Sequence, residues 1–278
     1  MNVNSWYHKI ISEILEEGAR EVNKRTGMEC AALPGVTFET DLETEGLPLL
    51  ALRKISIKNF VAEQMWFVAG RDNVRDFLED HTKIWSGFAE ANGVVTSAYG
   101  WRWRKRFGVD QLENVLHKLH RDPSDRHGVV MSWSPKEDLT QRQKNVPCPV
   151  MFTVNIIGGR LNLHLVVRSN DMVLGFPTDC AGFAFLACML AQNLGVRPGK
   201  YTHTISNAHV YSNHYDAAKT MLARYKGFEH YFAIPTALPD NAYRRAYELD
   251  DSLVADMEAL INPEYDPEEP ITGLLISK

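Results

Sequence analysis

The stretch Phe152-Thr-Val-Asn-Ile-Ile-Gly-Gly-Arg-Leu-Asn-Leu-His-Leu-Val-Val167 decides the fold class. Phe152, Val154 and Ile156 alternate with other residues, Gly158 and Gly159 make a turn, and Leu161, Leu163, Leu165 and Val167 resume the alternation. Successive side chains of a strand point to opposite faces, so this pattern sets one apolar face against a core. Paired glycines accept the positive φ of a tight turn at little steric cost. The expectation is a long hairpin within a larger sheet.

Helical patterns flank the hairpin. Ala181 to Leu194 is apolar on nearly all sides and stops at Gly195, which predicts a buried helix. Ile10, Ile11, Ile14 and Leu15 recur at helical spacing behind Ser5, a capping residue, and predict an opening amphipathic helix that runs to Gly27. Further helices are expected over Asn59 to Ala69, over Val74 to Ala91 before Gly93, and over Gln111 to His120, the last ending at the turn Asp122-Pro-Ser-Asp125. With no repeat, linker or low-complexity tract, the expected architecture is α+β in one domain spanning residues 1–278.

Composition narrows the function. The chain is 45% hydrophobic and 23% charged with a formal net charge of -5, enough for a sizeable core and without the basic footprint of a nucleic-acid polymer binder. A bound nucleotide is therefore expected to be a small molecule. The four cysteines form no CxxC pair and no charged-then-apolar segment opens the chain, which points to a reducing cytoplasm. The longest apolar stretch, around Ala181 to Leu190, is too short to span a bilayer.

Two apparent motifs fail on chemistry. Gly195-Val-Arg-Pro-Gly-Lys200 has short glycine spacing for a phosphate loop, and Tyr201 stands where a hydroxyl should bind magnesium. His203, His209 and His214 with Cys180 lack the short paired spacing of a zinc site, so no metal is expected. Cys148 stands between Pro147 and Pro149, which fix the local backbone. A reactive thiolate there needs cationic neighbours, and Arg126 and Arg168 are the candidates; an inert cysteine is the alternative.

The run Arg168-Ser-Asn-Asp-Met-Val-Leu-Gly-Phe-Pro-Thr-Asp179 closely resembles the thymidylate synthase signature RSxDxxLGxPxN, with aspartate in place of its last asparagine. Around it, in family order, stand Arg25-Thr-Gly27, Glu63-Gln-Met-Trp-Phe67, Ile84-Trp85, Tyr99-Gly100, Asp122-Pro-Ser-Asp-Arg126, Pro147-Cys148 and His209-Val-Tyr-Ser-Asn-His214. The chain resembles the thymidylate synthase superfamily over nearly its whole length.

That resemblance implies a large mixed sheet with surrounding helices, a homodimer through the sheet face, and 5,10-methylenetetrahydrofolate as cosubstrate. By the same resemblance Cys148 is the nucleophile at carbon 6 of a pyrimidine nucleoside monophosphate, and Glu63 with Tyr99 manages proton transfer through water. Arg25, Arg168 and Ser169 hold the phosphate, joined by Arg126 of the partner subunit, while His209 and Tyr211 bind the sugar. Trp85, Asp171, Leu174 and Gly175 match the folate wall, and the tail from Glu264-Tyr-Asp-Pro-Glu-Glu-Pro-Ile271 onward covers the folate. His127, Pro149 and Thr153 depart from the usual family residues.

Asp179 redirects the expected substrate. An asparagine there pairs with uracil; cytosine reverses the pattern, offering an amine donor and a bare ring nitrogen, so a carboxyl that accepts and shares a proton suits it better. The same change occurs in the phage deoxycytidylate hydroxymethylases, which the wording RSNDxVxGF and HVYS also resembles. The expected reaction is dCMP to 5-hydroxymethyl-dCMP; alternatives are methylation with release of dihydrofolate, use of CMP or dUMP, and a non-catalytic nucleotide-binding relic.

Overall fold

A computed structural model of the chain describes residues 2–24, 26–140, 145–227 and 233–276. The hairpin forms as expected: β4 (Pro149–Ile157) pairs antiparallel with β5 (Arg160–Val167), with Phe152 opposite Leu165, Val154 opposite Leu163 and Ile156 opposite Leu161. Gly158 and Gly159 take φ of 60° and 70° in the turn, a region open to glycine without Cβ strain. Phe152, Val154, Leu161, Leu163 and Leu165 are all buried, so the period-2 pattern does define the core face.

The hairpin belongs to a seven-stranded mixed sheet of order β1-β2-β7-β5-β4-β3. Here β1 is Ala19–Asn23, β2 is Met28–Asp41, β3 is Val129–Met131 and β7 is Arg197–Tyr211, with β6 (Asn170–Asp171) pairing off the path against β7. The central β7 runs antiparallel to β2 and parallel to β5 and β6. A parallel pair needs a crossover, and the segment from β5 to β7 supplies it with α6 (Gly175–Asn193), buried along nearly its whole length. Against it lies α3 (Ile57–Val68), which follows the one-turn α2 (Leu42–Glu45) and precedes the short α4 (Tyr99–Trp101); Ser56 starts α3, its hydroxyl accepting from Asn59 N–H. Trp66, Trp103, Phe152 and Phe183 fill the layer beneath.

The opposite sheet face is polar: Thr37 and His164 both reach Thr204, at 3.2 and 2.9 Å, and Asn162 donates to Asn155. Among the described residues no helix is long and apolar enough to cross a membrane.

Three expected helices are corrected. The opening helix α1 (Val3–Glu17) is capped by Asn2, whose side chain accepts from Asn4 N–H, with Ser5 inside the helix and not at its cap, and it ends at Gly18 and not at Gly27. Its apolar period stops at Leu15, and residues 19–23 instead take up β1, whose exposed side chains matter less than the backbone ladder to β2. Gly27, at φ 66°, serves the β1–β2 turn. The segment 74–91 is no helix but two short 3₁₀ turns, Val74–Asp76 and Leu78–Asp80, followed by further turns. Asn73 breaks the pattern by capping Arg75 N–H and donating to Asn92 C=O, which folds the segment onto itself. The buried helix starts at Gly175, ahead of the expected Ala181, and so carries Asp179 in its second turn. Val68 and Arg121 close the other two helices within a residue of expectation.

Candidate active site

Ladder pairing of Pro149 with Val167 brings the residues just outside the hairpin, Cys148 and Arg168, side by side. The backbone N–H of Arg168 donates to Cys148 C=O at 2.9 Å. Its guanidinium is pinned by Pro147 C=O (2.7 Å) and Val146 C=O (3.0 Å), and its Nη2 lies 3.9 Å from Cys148 Sγ. A permanent cation thus abuts the thiol, which is the neighbourhood that favours a thiolate. Of the two cations considered from sequence, Arg168 is placed at the thiol. Arg126 is exposed, outside the cavity, in the turn that follows α5 (Gln111–Arg121).

A second wall comes from the start of α6. Asp171 Oδ1 accepts from the N–H groups of Val173 (2.8 Å) and Leu174 (3.2 Å) and so fixes the turn that launches the helix. One turn later Asp179 faces back toward β6, where Asn170 Nδ2 donates to its Oδ2 at 2.9 Å. Gly175 permits this approach, because a Cβ there would stand 2.8 Å from Asn170 Nδ2. The end of β7 contributes His209, whose Nδ1 meets Asn207 Oδ1 at 3.0 Å, and Tyr211, whose ring stands edge-on to the imidazole.

These elements enclose a cavity of about 460 Å³. Glu63, Trp85, Tyr99, Cys148, Arg168, Ser169, Asp171, Leu174, Gly175, Asp179, His209 and Tyr211 all line it. Arg25 lies outside the described residues. Asn23, Phe88, Asn145, Val146, Asn170, Thr178 and Ile276 also line the cavity and were not singled out from sequence. Asn170 and Thr178 stood inside the quoted signature, which was their only signal; Asn23 closes β1, and the others come from loops and the tail. The tail is tied down along its length: Tyr265 is buried and donates to Leu50 C=O, and His214 Nε2 meets Leu275 C=O at 3.0 Å beside Ile276.

The electrostatics are those of two carboxyls held out of water. Burial, with the Asp179 charge second, pushes Glu63 up to about 8, against the lowering pull of the Trp85 indole N–H that it accepts at 2.5 Å. Asp179 opens on the cavity but is enclosed by protein, and that desolvation raises it to about 7 while the Asn170 hydrogen bond pulls the other way. Near neutral pH it is divided between acid and carboxylate, able to donate or accept. Tyr99 is pushed well above an ordinary phenol by burial and by Cys148, Asp179 and Glu63, so its hydroxyl stays protonated. Among the described residues no group of three or more His, Cys, Asp or Glu side chains could hold a metal ion.

Trp85, Ile84, Phe88, Val146, Leu174 and Ile276 supply apolar wall to this cavity, the kind of surface on which a flat heterocycle packs. The arrangement joins a nucleophile beside a fixed cation to proton-carrying carboxyls under an apolar platform. The family model described as thymidylate synthase matches residues 5–273. This chain belongs to the thymidylate synthase family, and its reaction is folate-dependent transfer of a one-carbon unit to carbon 5 of a pyrimidine nucleotide.

Proposed function

We propose that the pyrimidine is cytosine and the reaction is hydroxymethylation of dCMP, by one catalytic domain working as a homodimer through the polar sheet face. The observation that carries the reading is Asp179: a carboxyl, poised near neutrality, stands in the cavity wall at the position where the family signature has asparagine. Against cytosine it accepts from the exocyclic amine and shares its proton with the ring nitrogen. Against uracil it meets a carbonyl and an N–H, and a mismatched buried pair costs about 1–3 kcal/mol for each unsatisfied group.

In this reading the Cys148 thiolate, beside Arg168, adds to carbon 6 and its electron pair becomes the Sγ–C6 bond. The displaced ring electrons make carbon 5 nucleophilic, and a proton on the ring nitrogen from Asp179 favours their flow. Carbon 5 then bonds the methylene of methylenetetrahydrofolate, already at the oxidation level of formaldehyde, and as carbon 5 gives up its proton the methylene–nitrogen bond breaks and tetrahydrofolate leaves with the bonding pair. Glu63 takes the proton that leaves carbon 5, with Tyr99 in the same hydrogen-bonded network. Water then adds its hydroxyl to the new methylene, the Sγ–C6 bond breaks, and the thiolate returns. Arg168, Ser169 and Arg25, with Arg126 of the partner subunit, hold the phosphate; His209 and Tyr211 hold the sugar. Trp85, Asp171, Leu174 and Gly175 wall the folate.

The test is incubation with methylenetetrahydrofolate and each of dCMP, CMP and dUMP, followed by product mass and by dihydrofolate absorbance. The expected result is preferred use of dCMP, a hydroxymethyl product and no dihydrofolate. Stoichiometric dihydrofolate with a 5-methyl product overturns hydroxymethylation and leaves cytosine standing; preference for dUMP overturns the reading built on Asp179.

A further inference from the structure

Among the described residues, Asn170 forms the one side-chain hydrogen bond to Asp179, and Asn170 is 3% exposed. A carboxylate can only accept, so the amide nitrogen is the atom that faces it. The other amide atom, Oδ1, is buried without a partner among the described residues, a desolvation cost that an apolar side chain of similar size would avoid. What the site gains in exchange is the donor. Three features hold that donor in place: the β6 ladder, with Asn170 opposite Ala208, the missing Cβ of Gly175, and the Asp171 turn between them.

Among the described residues, the groups that act electrostatically on Asp179, or on which it acts, include Glu63 from α3, Tyr99, Asp171 from β6, Cys180 on its own helix and Tyr201 from β7, while Cys148, Arg168 and His209 line the same cavity. Those first five are all acids, thiols or phenols, and each raises the cost of ionising the carboxyl or is itself pushed up by it. The hydrogen bond from Asn170 pulls the other way.

We propose that Asn170 is a specificity-determining positioning residue: its N–H holds Oδ2 of Asp179 as a bare acceptor and so confines the shared proton to Oδ1, the oxygen left for the ring nitrogen of cytosine. The inference rests on the cytosine reading above. When the proton passes from Oδ1 to the ring nitrogen, the bonding pair stays on the carboxylate and the nitrogen lone pair forms the new N–H. The Asn170 hydrogen bond strengthens as that negative charge appears, as charge-assisted bonds do. Uracil already carries a proton on the ring nitrogen, so its turnover draws nothing from this contact. Asn170 therefore discriminates between bases through Asp179.

The experiment compares wild type, Asn170→Ala and Asn170→Ser, each with dCMP and dUMP across pH, with melting temperatures as the folding check. In Asn170→Ala the dCMP plateau of kcat/KM falls about tenfold relative to dUMP, about 1.4 kcal/mol. The limb on which Asp179 ionises moves to higher pH, because the carboxylate has lost its donor. Asn170→Ser, which keeps a hydroxyl donor, recovers part of both effects. In an Asp179→Asn background the Asn170→Ala change leaves the dCMP/dUMP ratio where it was, since the coupling has no partner. Equal losses on both nucleotides with an unmoved limb mean that Asn170 is only a packing residue and overturn the proposal. Should Asn170→Ala fail to fold, the limb position and nucleotide ratio of Asn170→Ser decide alone, a wild-type limb with equal losses on both nucleotides again being fatal. Wild-type preference for dUMP sinks the cytosine reading itself, an outcome visible before any Asn170 variant is made.

Discussion

Trp85 donates its indole N–H to Glu63 Oε1 across 2.5 Å, so the residue expected only to wall the cavity also tunes the carboxyl beneath it. Trp85→Phe keeps an aromatic surface and removes the donor. Glu63, already at about 8, then climbs further, because the lowering contribution of that hydrogen bond is lost. If Glu63 works as a base, the acidic limb of the pH–rate profile moves to higher pH, and the variant loses more activity at pH 7 than at pH 9. A uniform loss at both pH values would show that the indole acts through packing alone.

As the proposed nucleophile, Cys148 would make a bond in the reaction and contribute little affinity for the bound nucleotide. Cys148→Ala is expected to retain dCMP binding by calorimetry within a few-fold while turnover falls by at least about a hundredfold. Residual turnover above that level would remove Cys148 as the nucleophile.

Asp179→Asn restores the family signature. Rates with dCMP should fall at least tenfold, about 1.4 kcal/mol, and relative use of dUMP should improve. An unchanged nucleotide ratio would mean that the base is read elsewhere.

The same substitution carries a stability signature. Asp179 is raised from 3.8 to about 7, so folding favours its protonated form: the carboxyl costs no stability well below pH 4, and the cost grows until the group is ionised above pH 7. Asp179→Asn removes that cost. The melting temperature of the variant relative to wild type should therefore rise between pH 4 and pH 8, by roughly 2–4 °C per kcal/mol for a chain of this size. A pH-independent difference would show that Asp179 is not desolvated in the free protein.

Arg126 is exposed and away from its own cavity, as a residue donated across an interface would be in an isolated subunit. Arg126→Ala and Cys148→Ala proteins are each expected to be nearly inactive, and mixed subunits to recover up to about a quarter of wild-type activity, since random pairing gives half heterodimers with one intact site each. Mixed dimers that form and stay inactive would exclude donation in trans.

How much of this was legible in the sequence differs by element. The β4–β5 hairpin was read directly, because strand alternation is local and Gly158-Gly159 marks the turn. The stop of α1 was not, since Gly18 ends the helix only because β2 offers residues 19–23 a ladder, and that partner is a matter of tertiary pairing. At the site, the resemblance found the residues whose types are diagnostic, Cys148, Glu63 and Arg168 among them, and the cavity does gather them. Asn170 escaped because its meaning lies in a contact with Asp179 that exists only once Gly175 lets the helix start beside β6. Trp85 was assigned to a wall because no spacing reveals where an indole N–H points. Arg25 falls outside the described residues.

The central place of β7 also governs how the chain reaches this structure. Its partner β2 lies near residues 28–41 while β7 spans 197–211, so the longest ladder of the sheet joins segments far apart in the chain. Neither β2 nor the finished β4–β5 hairpin can join the other until β7 arrives between them. Pairings of such sequence separation are slow to form, and strands that wait with open edges invite the wrong partner. The vulnerable species during folding is thus one with its hairpin made and its middle strand missing, and substitutions that weaken β7 should reveal themselves as aggregation during refolding before they reveal themselves in catalysis.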